Sequence, residues 1–330
     1  MKNPTILISA PYMMPSIDRF TSVLQHYGCK TIVAEVNERL SEEEIIKYAG
    51  QFDGVICGDD RFTPKAIDAC LPRLKVISKW GTGIDSIDKT YAEGVGVTVR
   101  NTPNAFTLPV SDTVMGLMLS FARGIPWMDR DVKGGLWSKY LGRSLSECVL
   151  GVIGVGNIGK AVIRRARAFG MKILGNDIVP IAPDFIIENG VEMTSLEDLL
   201  GRSDFISLNC DLNPTSFHII NHHTMESVKP GAILINTARG PLVEESALVD
   251  GLKSGLLGGA GFDVFEVEPL PKDSPLLKFD NILLSAHNSN ASTAAWERVH
   301  RNTIHNLFVD LEISHDDLEQ VMMDSLSKSR

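Results

Sequence analysis

The sequence predicts an α/β protein made of two doubly wound, mostly parallel sheets, and three observations predict it. Short apolar runs alternate with helical patterns along nearly the whole chain, as successive β-α-β units do. Midway, one of these units carries a glycine-rich turn between its strand and its helix. The first third repeats the alternation with no such turn at its start, which marks it as a separate α/β region.

Composition narrows the class. With 330 residues, 44% hydrophobic and 22% charged, the chain is that of an ordinary globular protein long enough for two domains. A net charge of −9 argues against a general nucleic-acid binder, because phosphate binding needs clustered Lys and Arg. Cys29, Cys57, Cys70, Cys148 and Cys210 are scattered singly with no C-x-x-C pair, which reads as a reduced protein without structural zinc. No H-x-x-x-H pair lies on a site-facing surface, so no metal is expected. No run approaches the ~18 apolar residues of a membrane span, and no apolar segment with a cleavage site opens the chain; the expected location is the cytoplasm.

In order, Thr5 to Ser9 reads as a strand, Ile17 to His26 as a helix and Lys30 to Val33 as a strand. Ser41 caps a helix running through Tyr48, with Glu44 three residues on. Gly54 to Cys57, Pro64 to Cys70 and Leu74 to Ser78 continue as strand, helix and strand. The loop Lys79-Trp80-Gly81-Thr82-Gly83-Ile84-Asp85 follows, at a carboxyl strand end, where open α/β sheets place ligands. Gly81 and Gly83 present successive backbone N–H groups able to hold a carboxylate, with the Lys79 ammonium close by. Lys79, Trp80, Thr82 and Gly83 are the expected substrate contacts. The competing reading is an ordinary glycine turn, with Lys79 solvated and Trp80 packed on the core. Val97 to Val99 is a short strand, and Thr107 to Arg123 a long helix whose Val110, Val114, Leu117, Met118 and Phe121 form an apolar stripe read as core. Pro126, Gly134-Gly135 and Trp137 mark an irregular arm.

The glycine turn comes next. Val149 to Ile153 is a buried strand, Gly154-Val155-Gly156-Asn157-Ile158-Gly159 the turn, and a helix follows through Phe169. Gly154 allows the tight turn, Gly156 lets the backbone approach a pyrophosphate, and Gly159 lets helix pack on strand. The helix N-terminus at Asn157 and Ile158 then holds the anion. The next strand, Lys172 to Asn176, ends at Asp177, 18 residues beyond Gly159 (177 − 159), where an acid meets the adenosine ribose. With Ile178-Val179-Pro180 following and no Arg beside it, Asp177 repels a 2′-phosphate, so NAD is expected over NADP.

Ser195 to Leu200, Phe205 to Leu208, Asn221 to Val228, Ala232 to Asn236, Glu244 to Ser254 and Gly258 to Phe262 resume the alternation. Cys210, Thr237 and Ala238 lie just past strand ends and join the expected cofactor contacts. Three consecutive strands end near Arg239, Asp263 and His287. A nicotinamide cofactor exchanges hydride, so a partner carbonyl must also gain a proton, for which His287 is the candidate. Glu268 is placed to hold its ring, and Arg239 offers a planar guanidinium for a carboxylate or carbonyl. The set suits a 2-oxo acid. His26, His222, His223, His300, His305 and His315 read as solvated helix faces. A helix over Thr293 to Leu311 and a polar tail close the chain.

On Gly81-Thr82-Gly83-Ile84-Asp85, Gly154 to Gly159, Asn236-Thr237-Ala238-Arg239-Gly240, Asp263 to Pro269 and Ala286-His287, the chain resembles the NAD-dependent D-isomer-specific 2-hydroxyacid dehydrogenases, phosphoglycerate dehydrogenase-like members included. The resemblance covers nearly the whole chain. It implies a Rossmann dinucleotide-binding domain, 105–292, inserted into a flavodoxin-like substrate domain, 1–104 plus 293–330. It further implies that Arg239, Glu268 and His287 are the catalytic triad, that the Thr82 and Gly83 amides hold the substrate carboxylate, and that Asp263 contacts the nicotinamide amide alongside Arg239 and His287. A homodimer through Thr107 to Tyr140 follows as well. Asp112 stands where the family commonly has Glu, Asn104 where it has Gly, and Asn288-Ser289-Asn290 where it has a small, glycine-bearing run; these put the pocket's shape in question. The expected substrate is a small 2-oxo or D-2-hydroxy acid, 3-phosphoglycerate included if Lys79 takes a second anion. The rival reading, from the same fold, is a non-enzymatic NAD(H)-sensing module resembling the co-repressors; it expects long disordered flanks.

Overall fold

The computed structural model describes residues 3–328, so residues 1, 2, 329 and 330 lie outside the described residues. The chain divides into two compact units, Met1–Phe106 with Ser292–Arg330, and Thr107–Ala291.

The first unit holds a five-stranded parallel sheet of β1 (Thr5–Ile8), β2 (Lys30–Val33), β3 (Gly54–Cys57), β4 (Val76–Lys79) and β5 (Thr98–Arg100), in the order β2-β1-β3-β4-β5. That is the flavodoxin-like order. Every residue of β1, β3 and β4 is buried, as in a sheet covered on both faces. Leu7, Val55 and Ile77 are fully buried in this core, worth about 1.5–3 kcal/mol for each large aliphatic side chain removed from water. Ser41 Oγ accepts the Glu44 N–H at 3.3 Å, and the Glu44 carboxylate accepts the Ser41 N–H at 2.8 Å; this reciprocal cap starts the helix Glu42–Ile46.

The second unit holds β6 (Val149–Ile153), β7 (Lys172–Asn176), β8 (Val191–Met193), β9 (Phe205–Leu208), β10 (Ala232–Asn236), β11 (Leu257–Phe262) and β12 (Ile282–Leu284). Its order is β12-β11-β10-β9-β6-β7-β8, parallel throughout. Counted from β6, this is the Rossmann order with one further strand at the edge, and the order reverses between β6 and β9. The predicted pair of doubly wound sheets is therefore the observed fold. The helix Thr107–Arg123 buries Val110, Val114, Met118 and Phe121 and packs against the helix Asn157–Ala168 of the same unit.

The structure departs from the sequence reading at six places. Ile125–Lys133, expected to be irregular, is a helix: Gly124 takes a left-handed turn (φ +64°) and Pro126 occupies the first turn, where its missing N–H costs nothing. The helix Pro183–Asn189 and the three-residue β8 were not foreseen. The polar tail is the helix Leu318–Lys328. Lys79, read as the first residue of the loop, belongs to the end of β4 and is 3% exposed, which overturns the competing reading of a solvated side chain. His300, expected on a solvated face, is 5% exposed and accepts the Trp80 indole N–H at 2.9 Å, and burial pushes its pKa down to about 4.

Candidate active site

The glycine turn is built by contacts that exclude side chains. A Cβ on Gly154 (φ +88°) would lie 2.5 Å from the Cys210 backbone nitrogen, and one on Gly159 would lie 2.0 Å from the Gly154 carbonyl oxygen. Those two glycines are fixed by the protein's own packing. Gly156 differs, because a Cβ there would meet nothing within 4 Å. The space beside it is open, a cradle bounded by the start of the helix Asn157–Ala168, whose first intrahelical bond runs from Lys160 N–H to the Gly156 carbonyl at 2.8 Å. The amides of that first turn carry the positive end of the helix dipole. A pyrophosphate fits this cradle.

Asp177 stands at the end of β7 and does more than its spacing foretold. One carboxylate oxygen accepts the Val155 N–H at 2.6 Å and the other the Val179 N–H at 2.8 Å, which ties the acid to the glycine turn. Cys210, expected among the cofactor contacts, is half-buried, and burial pushes its thiol up to about 11, so it is a neutral neighbour of the turn. Two buried acceptors on this rim lack a hydrogen-bond partner among the described residues, Thr237 Oγ1 and Asn209 Oδ1. Thr237 was expected here. Asn209 was missed; its signal was a polar residue directly after the apolar run of β9.

The next three strand ends carry Arg239, the Asp263–Glu268 loop and His287. After β10, Asn236 accepts the Ala238 N–H at 3.1 Å and donates to the Arg239 carbonyl at 2.8 Å, folding the chain so that Arg239 leaves the sheet edge. Arg239 donates from Nη1 to the Ala238 carbonyl at 2.8 Å. A Cβ on the following Gly240 would lie 1.9 Å from the Phe265 backbone, so the Arg239 turn packs directly on the loop after β11. In that loop Glu268 accepts the Phe265 N–H at 2.9 Å with one oxygen and meets His287 Nδ1 at 2.9 Å with the other. Both side chains are about one-fifth exposed, at 22% for His287 and 19% for Glu268.

His287 adopts φ +50°, a left-handed conformation that costs a non-glycine residue about 1 kcal/mol or more. Asp263 over-determines it. The His287 N–H donates to the Asp263 carbonyl at 2.8 Å, while the Asp263 carboxylate, 1% exposed, accepts Ser285 Oγ–H at 2.5 Å and the Asn288 and Ser289 N–H groups at 2.8 Å each. Three of its roughly four acceptor positions are thus used by its own chain. The unusual Asn288-Ser289 pair meets Asp263 through backbone amides, which any residue supplies.

In the first unit, the loop after β4 is held by its neighbour strand's exit. Thr102 N–H donates to the Gly81 carbonyl at 2.9 Å, Thr82 Oγ1 to the Thr102 carbonyl at 3.1 Å, and Asn101 Nδ2 to the Thr82 carbonyl at 2.6 Å. Gly81 sits at φ +126°, which suits only glycine. Asn104 takes φ +63°, so the residue that departs from the family's Gly is one that tolerates the same backbone. Trp80 is 1% exposed, stacked on Tyr12 with ring centroids 4.5 Å apart. The Lys79 ammonium lies 3.0 Å from an Asp59 oxygen and 3.2 Å from the Trp80 carbonyl.

A Rossmann sheet with an open glycine cradle, and a His–Glu pair and an Arg at neighbouring strand ends, defines an NAD-binding oxidoreductase. Residues 115–289 match the family model for the NAD-binding domain of D-isomer specific 2-hydroxyacid dehydrogenases. A glyoxylate reductase of Korarchaeum cryptofilum is 40% identical over 242 residues, 72% of this chain and 73% of that one. A D-3-phosphoglycerate dehydrogenase of Methanocaldococcus jannaschii is 38% identical over 265 residues, 79% of this chain but 50% of that one, so the chain spans about half that relative's length. The solved D-lactate dehydrogenase of Aquifex aeolicus, in complex with NAD and lactic acid, superposes with a TM-score of 0.81 at 29% identity, covering 93% of this chain and 96% of that one. The chain belongs to the D-isomer specific 2-hydroxyacid dehydrogenases, and it is an NAD-dependent oxidoreductase of 2-oxo and 2-hydroxy acids. Nothing in these relatives favours a non-enzymatic sensing module. Among the described residues no helix is long and apolar enough to cross a membrane, and no cluster of three or more His, Cys, Asp or Glu is placed to hold a metal.

Proposed function

We propose that the protein reduces a small 2-oxo acid with a single anionic group, of the glyoxylate or hydroxypyruvate type, and oxidises the matching D-2-hydroxy acid. The observation that carries this reading is the Glu268–His287 hydrogen bond at a strand end of the NAD-binding sheet. Bound NADH supplies the hydride that reaches C2 of the substrate. His287, with Nδ1 held by Glu268, gives a proton from Nε2 to the developing alkoxide and takes it back in the reverse direction. Arg239 is the cation for the carboxylate and polarises the carbonyl, and the Thr82 and Gly83 amides are the carboxylate donors of the first unit. Gly154, Gly156, Asn157, Ile158 and Gly159 hold the pyrophosphate, Asp177 the adenosine ribose, and Thr237, Ala238 and Asp263 the nicotinamide side. The glyoxylate reductase relative supports the substrate size, and the Lys79–Asp59 pair supports a single anion, because a neutralised ammonium has little left for a phosphate. The test is NADH oxidation against glyoxylate, hydroxypyruvate, pyruvate and phosphohydroxypyruvate, repeated with NADPH. Turnover of the first two with NADH is expected, and inertness toward all four would refute the reading.

The same reading includes a homodimer in the cytoplasm, with no nucleic-acid partner. Trp137 and Leu141 are 90% and 99% exposed, and Ile125, Val132 and Leu136 are more than half exposed, an apolar surface of the kind that a second copy covers. Sedimentation equilibrium is expected to give twice the chain mass; replacing Trp137 and Leu141 by Ser should shift it toward one. Five free cysteines, four of them buried, suit a reducing compartment.

A further inference from the structure

We propose that Asp59 determines specificity: by pairing with Lys79 it confines the substrate to acids with one anionic group, and its removal opens the site to a second anion. The inference rests on the 2-oxo acid reading above and names the residue that sets its range.

Lys79 ends β4, one residue before Trp80 and the Gly81–Gly83 loop. Its Nζ lies 3.6 Å from where a Cβ on Gly81 would stand, so the charge sits under the loop whose amides are assigned the substrate carboxylate. An unpaired ammonium there would attract any second anion on that substrate. Asp59 prevents it, with its oxygen at 3.0 Å. The Lys79 side chain is 4% exposed and that of Asp59 27%, so the cation is inside and its counter-ion at the rim.

Asp60, the neighbouring acid, is committed elsewhere. It is fully buried, accepts the Leu40 N–H at 2.7 Å and the Ser9 hydroxyl, and burial pushes its pKa up to about 6. The two acids therefore divide the work: Asp60, which also feels the Lys79 charge, is tied by hydrogen bonds to Ser9 and Leu40, and Asp59 forms the close ion pair with the ammonium. A parallel sheet explains why they meet. Cys57 is the register partner of Lys79, so the residues just past Cys57 emerge beside the Lys79 side chain.

The experiment compares kcat/KM for hydroxypyruvate and phosphohydroxypyruvate in the full-length protein, Asp59→Asn, and Asp59→Asn with Lys79→Met. Asp59→Asn is expected to shift the ratio toward the phosphorylated substrate by about tenfold or more, as close charge pairs at binding sites do. The double variant should lose that shift, because the freed cation is gone. A variant merely loosened in the loop would lose both activities alike and keep the ratio, which overturns the proposal. So would a starting protein that already uses both substrates equally. If the protein is inert toward every 2-oxo acid, the functional reading falls. Calorimetric titration of 3-phosphoglycerate into the NAD complex then decides the inference alone: tighter binding by Asp59→Asn supports it, and equal binding overturns it.

Discussion

Replacing His287 by Asn is expected to lower kcat for 2-oxo acid reduction by about 10²- to 10⁴-fold, the usual worth of a positioned proton donor. Asn keeps a hydrogen-bonding side chain of similar reach and tolerates the left-handed backbone at φ +50°, so the loop should stay folded. What it lacks is a proton to give. NADH affinity, read by fluorescence titration, should change far less than kcat, because the glycine cradle lies at β6 and the imidazole beyond β12. Glu268→Gln should cost less than His287→Asn, since the amide can still meet Nδ1 at the observed 2.9 Å but no longer supports a cationic ring. A His287→Asn protein that keeps its full kcat would remove His287 from the chemistry.

Asp263→Ala is expected to destabilise the protein by about 2–5 kcal/mol, because it strands buried donors as well as deleting three hydrogen bonds. Asn would ordinarily be the mild replacement. Here it should not rescue, because the Asn288 and Ser289 N–H groups bond to different carboxylate oxygens, so in either orientation the NH₂ of an Asn faces a backbone N–H that cannot accept. Both variants should lose thermal stability and kcat together, the second because the strained His287 backbone is no longer held. A melting temperature within a degree of the parent for Asp263→Asn would contradict this account.

Where the sequence was legible, a local rule sufficed. The glycine turn, the acid at Asp177 and the strands Lys172–Asn176, Phe205–Leu208 and Ala232–Asn236 follow from apolar runs bounded by turn residues, and they are observed at those bounds. The placement of Arg239, Glu268 and His287 beyond neighbouring strand ends was legible because strands in a parallel sheet discharge their next residues onto one rim. The misses at β8, His300 and Lys79 share a cause: each depends on a partner distant in the chain. β8 has three residues and exists through its register with β7, Ile173 opposite Val191. The helix Ile125–Lys133 differs: it buries none of its residues, so it has no core stripe to read, and its Pro126 is a first-turn residue, not a break. His300 looked solvated because its ring is covered by Trp80, 220 residues away. Lys79 looked free for the same reason, its counter-ion being on a neighbouring strand's exit.

The Asp263 carboxylate bridges the end of β11 to the residues after β12, and β12 is the outer strand of its sheet, half-buried along its length. Outer strands with partial burial open more readily than central ones, on a free-energy scale well below that of global unfolding. Whenever β12 frays, the donors to Asp263 leave with it and His287 loses its place, although the central strands and the glycine turn persist. The geometry around His287 thus depends on an outer, half-buried strand, at the opposite side of the sheet's centre from the glycine turn.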